Sequence, residues 1–200
     1  MVELPILYLP GASGRSAVWK PVAERLARRR KPVLAGYPGW GDAPSETALG
    51  SFAGLVAWLA ERTPERCDLV SLSAGSELAL ELTLAFPERI RRVVLVTPAS
   101  GFDCRRAGAL DFRDAFRERR PDVPGWFLEP RDLGERLSLV LQRTLIVVGT
   151  NDPIAPPLAG ELLCSRLPDA RLEVVEGATH DLEEQEPDLL AALIEAHLRR

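Results

Sequence analysis

The feature that most constrains this chain is a series of six short apolar runs, each separated from the next by a longer segment. The runs are continuous rather than alternating, as in VVLV at positions 93–96 and LIVV at positions 145–148. A strand needs apolar residues on both faces when helices cover both sides of a parallel sheet. The runs therefore predict a three-layer α/β/α fold with a mostly parallel sheet of about six strands. The predicted strands span residues 4–9, 32–35, 67–72, 92–97, 144–148 and 171–175.

The stretches between these runs carry apolar residues at helical spacing. Ser45 and Pro157 stand where two helices are expected to begin, and prolines at positions 64, 87 and 168 follow the expected ends of others. The predicted helices span residues 17–30, 45–62, 74–86, 158–166 and 182–198.

Residues 98–142 interrupt this rhythm with four prolines, four glycines and many Arg and Asp residues. We interpret the segment as a small cap insertion above the sheet, where loops at the carboxyl ends of parallel strands bind ligands. Two hundred residues that are 46% hydrophobic suit one core, so a single domain over residues 1–200 is expected.

Charge and composition exclude several classes of protein. The 25 basic and 29 acidic residues are mixed along the chain and give a net charge of −4, so neither nucleic acid nor a membrane surface is an expected partner. The start lacks a basic leader pattern, and no apolar stretch reaches about 18 residues, so we expect a cytoplasmic protein. The three cysteines are far apart and predict free thiols. No metal site or phosphate-binding glycine loop is recognisable, so no metal and no cofactor is expected.

A candidate nucleophile follows the third run, in the sequence Ser71-Leu72-Ser73-Ala74-Gly75. A sharp turn from strand to helix would hold Ser73 in a strained conformation and needs small neighbours, which Ser71 and Gly75 are. The alternative is that Ser73 only caps the following helix.

Two further candidates follow later runs. Asp152 comes at the end of the fifth run and precedes a proline, so it is either a catalytic acid or an ordinary turn residue. His180 lies in the loop after the last run, where it could serve as a general base. His197 falls in the last turn of the terminal helix and is interpreted as completing its apolar face.

The chain order Ser73, Asp152, His180 resembles that of the α/β-hydrolases, and the Ser73 sequence resembles their nucleophile elbow. The resemblance covers nearly the whole chain and is to small-cap, esterase-like members. It implies a catalytic triad with Ser73 as nucleophile, His180 as base and Asp152 as acid. Asp103, which follows the fourth run, is an alternative acid because some family members use that position.

The same resemblance implies an oxyanion hole formed by the backbone N–H groups of Ala12 and Ala74. The chain departs from the family pattern at Ser71, where glycine is usual, and at Pro10, where histidine is usual. The first strand starts within five residues of Met1, so a minimal form without the family's N-terminal hairpin is expected.

The resemblance implies hydrolysis of a small-molecule carboxylic ester or thioester through an acyl-enzyme. A lyase of the menaquinone-pathway type or an acyltransferase is the alternative on the same fold, because fold and triad do not fix the acceptor. A noncatalytic binding protein that keeps the fold is a further alternative, favoured by the altered oxyanion loop at Pro10.

Four aromatic residues are expected to bind substrate by lining an apolar acyl pocket, although aromatics also pack caps onto bodies. They are Trp40, Phe102, Trp126 and Phe127. Six arginines give the insertion a basic character, either as a solvated helix face or as a surface for an acidic acyl-carrier protein, as in the pimeloyl-carrier methyl esterases that the chain resembles. They are Arg105, Arg106, Arg113, Arg117, Arg119 and Arg120.

Overall fold

The computed structural model describes residues 3–44 and 49–199. Six strands form one sheet, in which every pair of neighbours is parallel, in the order β2-β1-β3-β4-β5-β6. The predicted α/β/α fold is confirmed, and no predicted strand end is displaced by more than two residues. The strands are β1 Ile6–Leu9, β2 Pro32–Leu34, β3 Cys67–Leu72, β4 Ile90–Val96, β5 Arg143–Gly149 and β6 Ala170–Val175.

Helices flank both faces of this sheet. They are α1 Lys20–Leu26, α2 Phe52–Arg62, α3 Gly75–Ala85, α4 Arg113–Arg119, α5 Pro157–Cys164, α6 Leu182–Gln185 and α7 Pro187–Arg199. Within the described residues, none of the helices has the length and apolar character needed to cross a membrane.

Two helix predictions need correction. The single helix predicted over residues 182–198 is two helices, because Pro187 starts α7 and forces Glu186 out of helical geometry, with φ −129° and ψ 51°. The helix predicted from Ser45 begins at Phe52, where the Ser51 side chain caps it by accepting from the Gly54 N–H at 3.1 Å. Residues 45–48 lie outside the described residues.

The continuous apolar runs are explained by two separate cores, one on each face of the sheet. Leu69, Leu95 and Ile146 pack toward α2, α3 and α5. Their strand neighbours, such as Val70 and Val94, pack toward α1 and α7. Alternate residues of one strand therefore reach opposite cores, and both must be apolar.

Residues 97–142, which we call the connecting segment, join β4 to β5 and contain α4 and three short 3-10 turns. An ion pair between a buried glutamate and a partly exposed arginine fastens this segment to the body. Glu77 of α3 is 1% exposed and accepts hydrogen bonds from Arg131 Nε at 2.5 Å and from Ser100 Oγ at 2.9 Å. Arg131 also donates to the Trp126 carbonyl, so one side chain ties α3 to two parts of the segment.

The amino ends of the strands hold the terminal helix. The Leu198 carbonyl of α7 accepts hydrogen bonds from Arg91 and Arg92, and the buried Asp68 of β3 pairs with Arg30 and Arg91. Cations at a helix C-terminus stabilise its unpaired carbonyl groups.

His197 lies buried in the last turn of α7, as interpreted from its spacing, and donates from Nε2 to the Arg143 carbonyl at 3.1 Å. Burial lowers the pKa of His197 to about 4. The hydrogen bond to the Arg143 carbonyl opposes this change, and the charges of Arg171, Arg92 and Arg143 add to it.

Candidate active site

Ser73 occupies a strained turn between β3 and α3. Its φ is +50°, which L-residues rarely adopt. The Ser73 N–H donates to the Val96 carbonyl at 2.9 Å, while the Ser73 carbonyl accepts from the N–H groups of Ser76 and Ala99. These bonds to β4, α3 and the connecting segment fix the conformation, and the side chain stands at the carboxyl edge of the sheet.

The small residues around this turn are required by close packing. A Cβ added to Gly75 would collide with the Pro10 carbonyl, so only glycine fits where α3 passes the loop after β1. The Tyr37 hydroxyl donates to the same carbonyl at 2.6 Å and holds Pro10 in place. Ser71, which departs from the family pattern, is fully buried opposite Leu9 and Leu95 in the sheet.

The three candidate catalytic side chains meet in series. His180 Nε2 lies 2.8 Å from Ser73 Oγ, and His180 Nδ1 lies 2.8 Å from Asp152 Oδ2. Asp152 is 2% exposed, and its other oxygen accepts from the N–H groups of Ile154 and Ala155 at 2.8 and 2.9 Å. Because this carboxylate is fixed by two amides, it fixes the ring orientation of His180 and directs Nε2 toward the serine.

Asp103 does not take part in this series. Its carboxylate forms ion pairs with Arg105 and Arg106 at 3.4 and 3.2 Å. The carboxylate in contact with His180 is that of Asp152, which follows β5.

Two residues that the sequence analysis did not identify brace the His180 loop. Thr97, the residue after β4, has a φ of +45° and donates from Oγ1 to the His180 carbonyl at 3.4 Å. Gln185 accepts from the Thr179 N–H at 3.0 Å and donates to the Thr179 hydroxyl at 2.7 Å. A threonine ending an apolar run gives no local sign of this contact, because the contact depends on the neighbouring strand.

Both amides of the predicted oxyanion hole are available. Within the described residues, neither the Ala12 nor the Ala74 N–H donates to an acceptor. Ala74 directly precedes α3, an eleven-residue helix whose first N–H groups favour negative charge. The loop that carries Ala12 is held by Trp40 Nε1, which donates to the Ala12 carbonyl at 3.2 Å.

A cleft of about 540 Å³ opens over Ser73 and His180. Phe112 and Phe116 of the connecting segment supply its aromatic lining. Its remaining lining comes from the connecting segment, from the residues between β1 and α1, from the end of β3, from the loop after β5, and from α6 with the residue before it. These residues are Gly11, Ala12, Ser13, Val18, Leu72, Arg119, Arg120, Ile154, Asp181, Glu183 and Glu184.

The four aromatic residues predicted to bind substrate lie elsewhere. Trp40, Trp126 and Phe127 pack on one another, with ring centroids 5.3–6.3 Å apart, and hold the connecting segment on the body. Phe102 is 2% exposed and lines a separate cavity of about 210 Å³, which shares Phe112 and Ile154 with the cleft. Substrate contact by the four residues therefore stays a prediction.

Most of the six arginines between residues 105 and 120 are paired with nearby carboxylates. Arg113 pairs with Asp111 and Arg117 with Asp114. Arg119 and Arg120 line the cleft, and Arg120 also pairs with an aspartate and donates to the Trp40 carbonyl.

A strained serine, a histidine and a buried carboxylate in contact, each following a different parallel strand, are the arrangement that the α/β-hydrolase fold produces. The model of the "Alpha/beta hydrolase family" matches residues 6–142. The chain belongs to the α/β-hydrolase family and is a hydrolase enzyme.

Among curated relatives, the chain is 26% identical to a pimeloyl-[acyl-carrier protein] methyl ester esterase of Nitrosomonas europaea, over 88% of each chain. It is 24% identical to a 2-hydroxy-6-oxononadienedioate/2-hydroxy-6-oxononatrienedioate hydrolase of Escherichia coli, over 96% of this chain and 84% of the relative. Among solved structures, a hydrolase from Pseudomonas aeruginosa has the same fold, with a TM-score of 0.81 at 19% identity, over 99% of this chain and 91% of that one.

Proposed function

We propose that the protein hydrolyses a carboxylic ester or thioester of a small molecule through an acyl-enzyme formed on Ser73. The observation that carries this proposal is the contact series Ser73–His180–Asp152, with both hydrogen-bond distances at 2.8 Å. An isolated serine hydroxyl is a weak nucleophile and needs an adjacent base to become reactive.

In the proposed reaction, Ser73 Oγ attacks the substrate carbonyl carbon while His180 Nε2 takes its proton. Asp152 stabilises the resulting imidazolium, and the N–H groups of Ala12 and Ala74 stabilise the oxyanion. His180 then gives its proton to the leaving alcohol or thiol. Water, activated by the same imidazole, finally releases the acid from Ser73.

The cleft supports an ester or thioester of small size. A volume of about 540 Å³ suits a ligand of drug-like dimensions, and Phe112 and Phe116 offer apolar surface to an acyl chain. We infer that residues 98–142 act as a cap within a single domain, since they supply these side chains. The esterase names of the relatives from Nitrosomonas europaea and Aeromonas hydrophila support ester hydrolysis.

A fluorophosphonate probe tests the nucleophile. We expect covalent labelling of the wild type and loss of labelling in Ser73→Ala. Ser138→Ala, which changes an exposed serine of the connecting segment, is the control and should be fully labelled. Nitrophenyl esters of graded chain length then define the acyl preference. A folded wild type that is neither labelled nor active would contradict the proposal and favour a noncatalytic binding protein.

We also propose that an acyl-carrier protein carries the ester. The name of the esterase from Nitrosomonas europaea and the position of Arg119 and Arg120 at the cleft support this. Replacing Arg119 by Ala should lower kcat/KM for a carrier-bound ester and leave that for a free ester of the same acyl chain nearly unchanged. Arg117→Ala, at the exposed residue paired with Asp114, is the matched control. Equal effects of Arg119→Ala on the two substrates would remove the carrier from the proposal.

A further inference from the structure

Glu183 is a buried carboxyl group in the candidate active site that the proposed mechanism does not use. It lies on α6, three residues after His180, and is one of the residues that line the cleft. Only 4% of the residue is exposed. Glutamate is rarely buried to this degree unless a partner compensates for the loss of water.

One of its two carboxyl oxygens has no such partner within the described part of the chain. The Oε2 atom of Glu183 is buried and has no hydrogen-bond donor among these residues. A buried polar atom without a partner costs free energy, and a ligand that supplied the missing bond would offset this cost. The cleft is the space from which such a ligand would come.

The position of Glu183 beside His180 indicates which part of the substrate it meets. His180 must protonate the oxygen of the leaving group, so the leaving group lies on the side of Ser73 where His180 stands. The residues that follow His180 and line the cleft, namely Asp181, Glu183 and Glu184, are therefore next to the leaving group. The oxyanion amides of Ala12 and Ala74 serve the carbonyl oxygen instead.

The side chains of this part of the cleft suit a ligand that carries a hydroxyl group. Burial is the main cause that raises the pKa of Glu183 to about 7; its own backbone N–H acts against this rise, while Asp181 and Glu184 add to it and His180 lowers it slightly. Near neutral pH the group is therefore present both as a carboxylic acid, which donates, and as a carboxylate, which accepts. A hydroxyl group can also do both. The three acidic side chains that follow His180 disfavour an anionic leaving group on this side, whereas the two arginines of the cleft, Arg119 and Arg120, belong to the connecting segment.

We propose that Glu183 is a specificity-determining residue that hydrogen-bonds a hydroxyl group on the leaving alcohol, so that the preferred substrates are esters of a diol or polyol. This inference rests on the proposed ester hydrolysis and specifies its leaving group.

The test compares two esters of one acid whose alcohols differ by a single group. The pair is 2-hydroxyethyl butyrate and propyl butyrate, in which a hydroxyl replaces a methyl of similar size. A site built to bind a hydroxyl discriminates strongly against an analogue that lacks it. We expect wild-type kcat/KM to be at least about tenfold higher for the hydroxyethyl ester.

Variants assign that preference to Glu183. In Glu183→Leu the ratio of the two kcat/KM values should fall to about one, while propyl butyrate is still hydrolysed. Glu183→Gln, which keeps an acceptor and a donor, should retain part of the preference and guards against a folding defect in the leucine variant. Glu186→Gln changes an exposed residue of the same segment that does not line the cleft, and it should keep the wild-type ratio.

The outcomes separate this inference from the proposed function. A wild type that hydrolyses both esters equally well, or a leucine variant that keeps the wild-type ratio, overturns the role of Glu183 and leaves the esterase standing. Labelling by the fluorophosphonate probe without hydrolysis of either ester also counts against the inference alone. Absence of both labelling and hydrolysis overturns the proposed function itself.

Discussion

Gly11 lies directly against Ser73: a Cβ built on Gly11 would stand 3.1 Å from the Cβ of Ser73 and 3.7 Å from its hydroxyl oxygen. The loop after β1 therefore passes so close to the nucleophile that even a methyl side chain at Gly11 would make a tight contact with Ser73. This approach is what brings the Ala12 amide toward the space where the oxyanion would form.

Replacing Gly11 by Ala should lower kcat at least about tenfold with little change in melting temperature, because the new methyl group displaces either the loop or the serine by a few tenths of an ångström. Steady-state kinetics on a nitrophenyl ester would measure it. Gly125→Ala is the matched control, since a Cβ there meets no atom within 4 Å. Wild-type kcat in Gly11→Ala would show that the loop does not need this contact.

Replacing Asp152 by Asn should reduce kcat by about 10³- to 10⁴-fold, because an amide favours the wrong tautomer of His180 and cannot stabilise its cationic form. Asp103→Asn should remain within a few fold of the wild type, since Asp103 pairs with arginines away from the histidine. The two variants should be compared on one ester at one pH. Equal losses in both would mean that Asp152 is not the acid.

Replacing Arg131 by Met should lower the free energy of unfolding by about 3 kcal/mol, because it leaves the Glu77 carboxyl group buried without its ionic partner. Arg136→Met removes the ion pair between Arg136 and Glu81, whose N–O distance is 2.7 Å but whose arginine side chain is 52% exposed. This variant should lose less than about 1 kcal/mol of unfolding free energy. Chemical denaturation measures both. A similar small loss in the two variants would argue against Glu77 and Arg131 as the fastening of the connecting segment.

The buried His197 makes the protein less stable in acid. Its pKa is about 4 when folded and 6.5 in its usual state, so the unfolded chain takes up a proton that the folded chain refuses between these values. The stabilising effect of the neutral ring is therefore complete above pH 6.5 and is lost as the pH falls toward 4. The free energy of unfolding of the wild type should fall by a few kcal/mol over this pH range, and His197→Gln, which keeps a donor for the Arg143 carbonyl, should lack this fall. Denaturation curves at pH 4.5 and 7 would test this.

Glu183 has the opposite effect on the pH dependence of stability. Its folded pKa of about 7 exceeds the usual 4.5, so the folded chain holds a proton that the unfolded chain has lost. Its contribution is complete below pH 4.5 and is lost as the pH rises through 7. Relative to Glu183→Gln, the wild type should therefore lose up to a few kcal/mol between pH 4.5 and 8. A difference between the two proteins that stays constant with pH would place the carboxyl group in water.

The sheet was predictable from the sequence because each buried parallel strand must be apolar on both faces, and few other structures require that pattern. The terminal helix was less predictable, since its apolar spacing continues across Pro187 and hides the break before it. α4 was not predicted either, because the polar and proline-rich sequence around it gives no apolar period.

The meeting of Ser73, Asp152 and His180 could be anticipated because each follows its own strand, and the carboxyl ends of parallel strands share one edge. The residues that line the cleft could not be anticipated from the sequence. Whether an aromatic residue faces the cleft or the core depends on how the connecting segment folds back, so Trp126 and Phe127 pack inward while Phe112 faces the cleft. The burial of Glu183 was equally hidden in a run of acidic residues.

The contact between Ser73, His180 and Asp152 draws on the ends of β3, β6 and β5, and β4 stands between β3 and β5 in the sheet. If these residues act as proposed, turnover requires that β3, β4, β5 and β6 have all paired in register. Recovery of esterase activity during refolding should therefore lag behind the recovery of helical signal, because activity reports on the completed pairing of these strands.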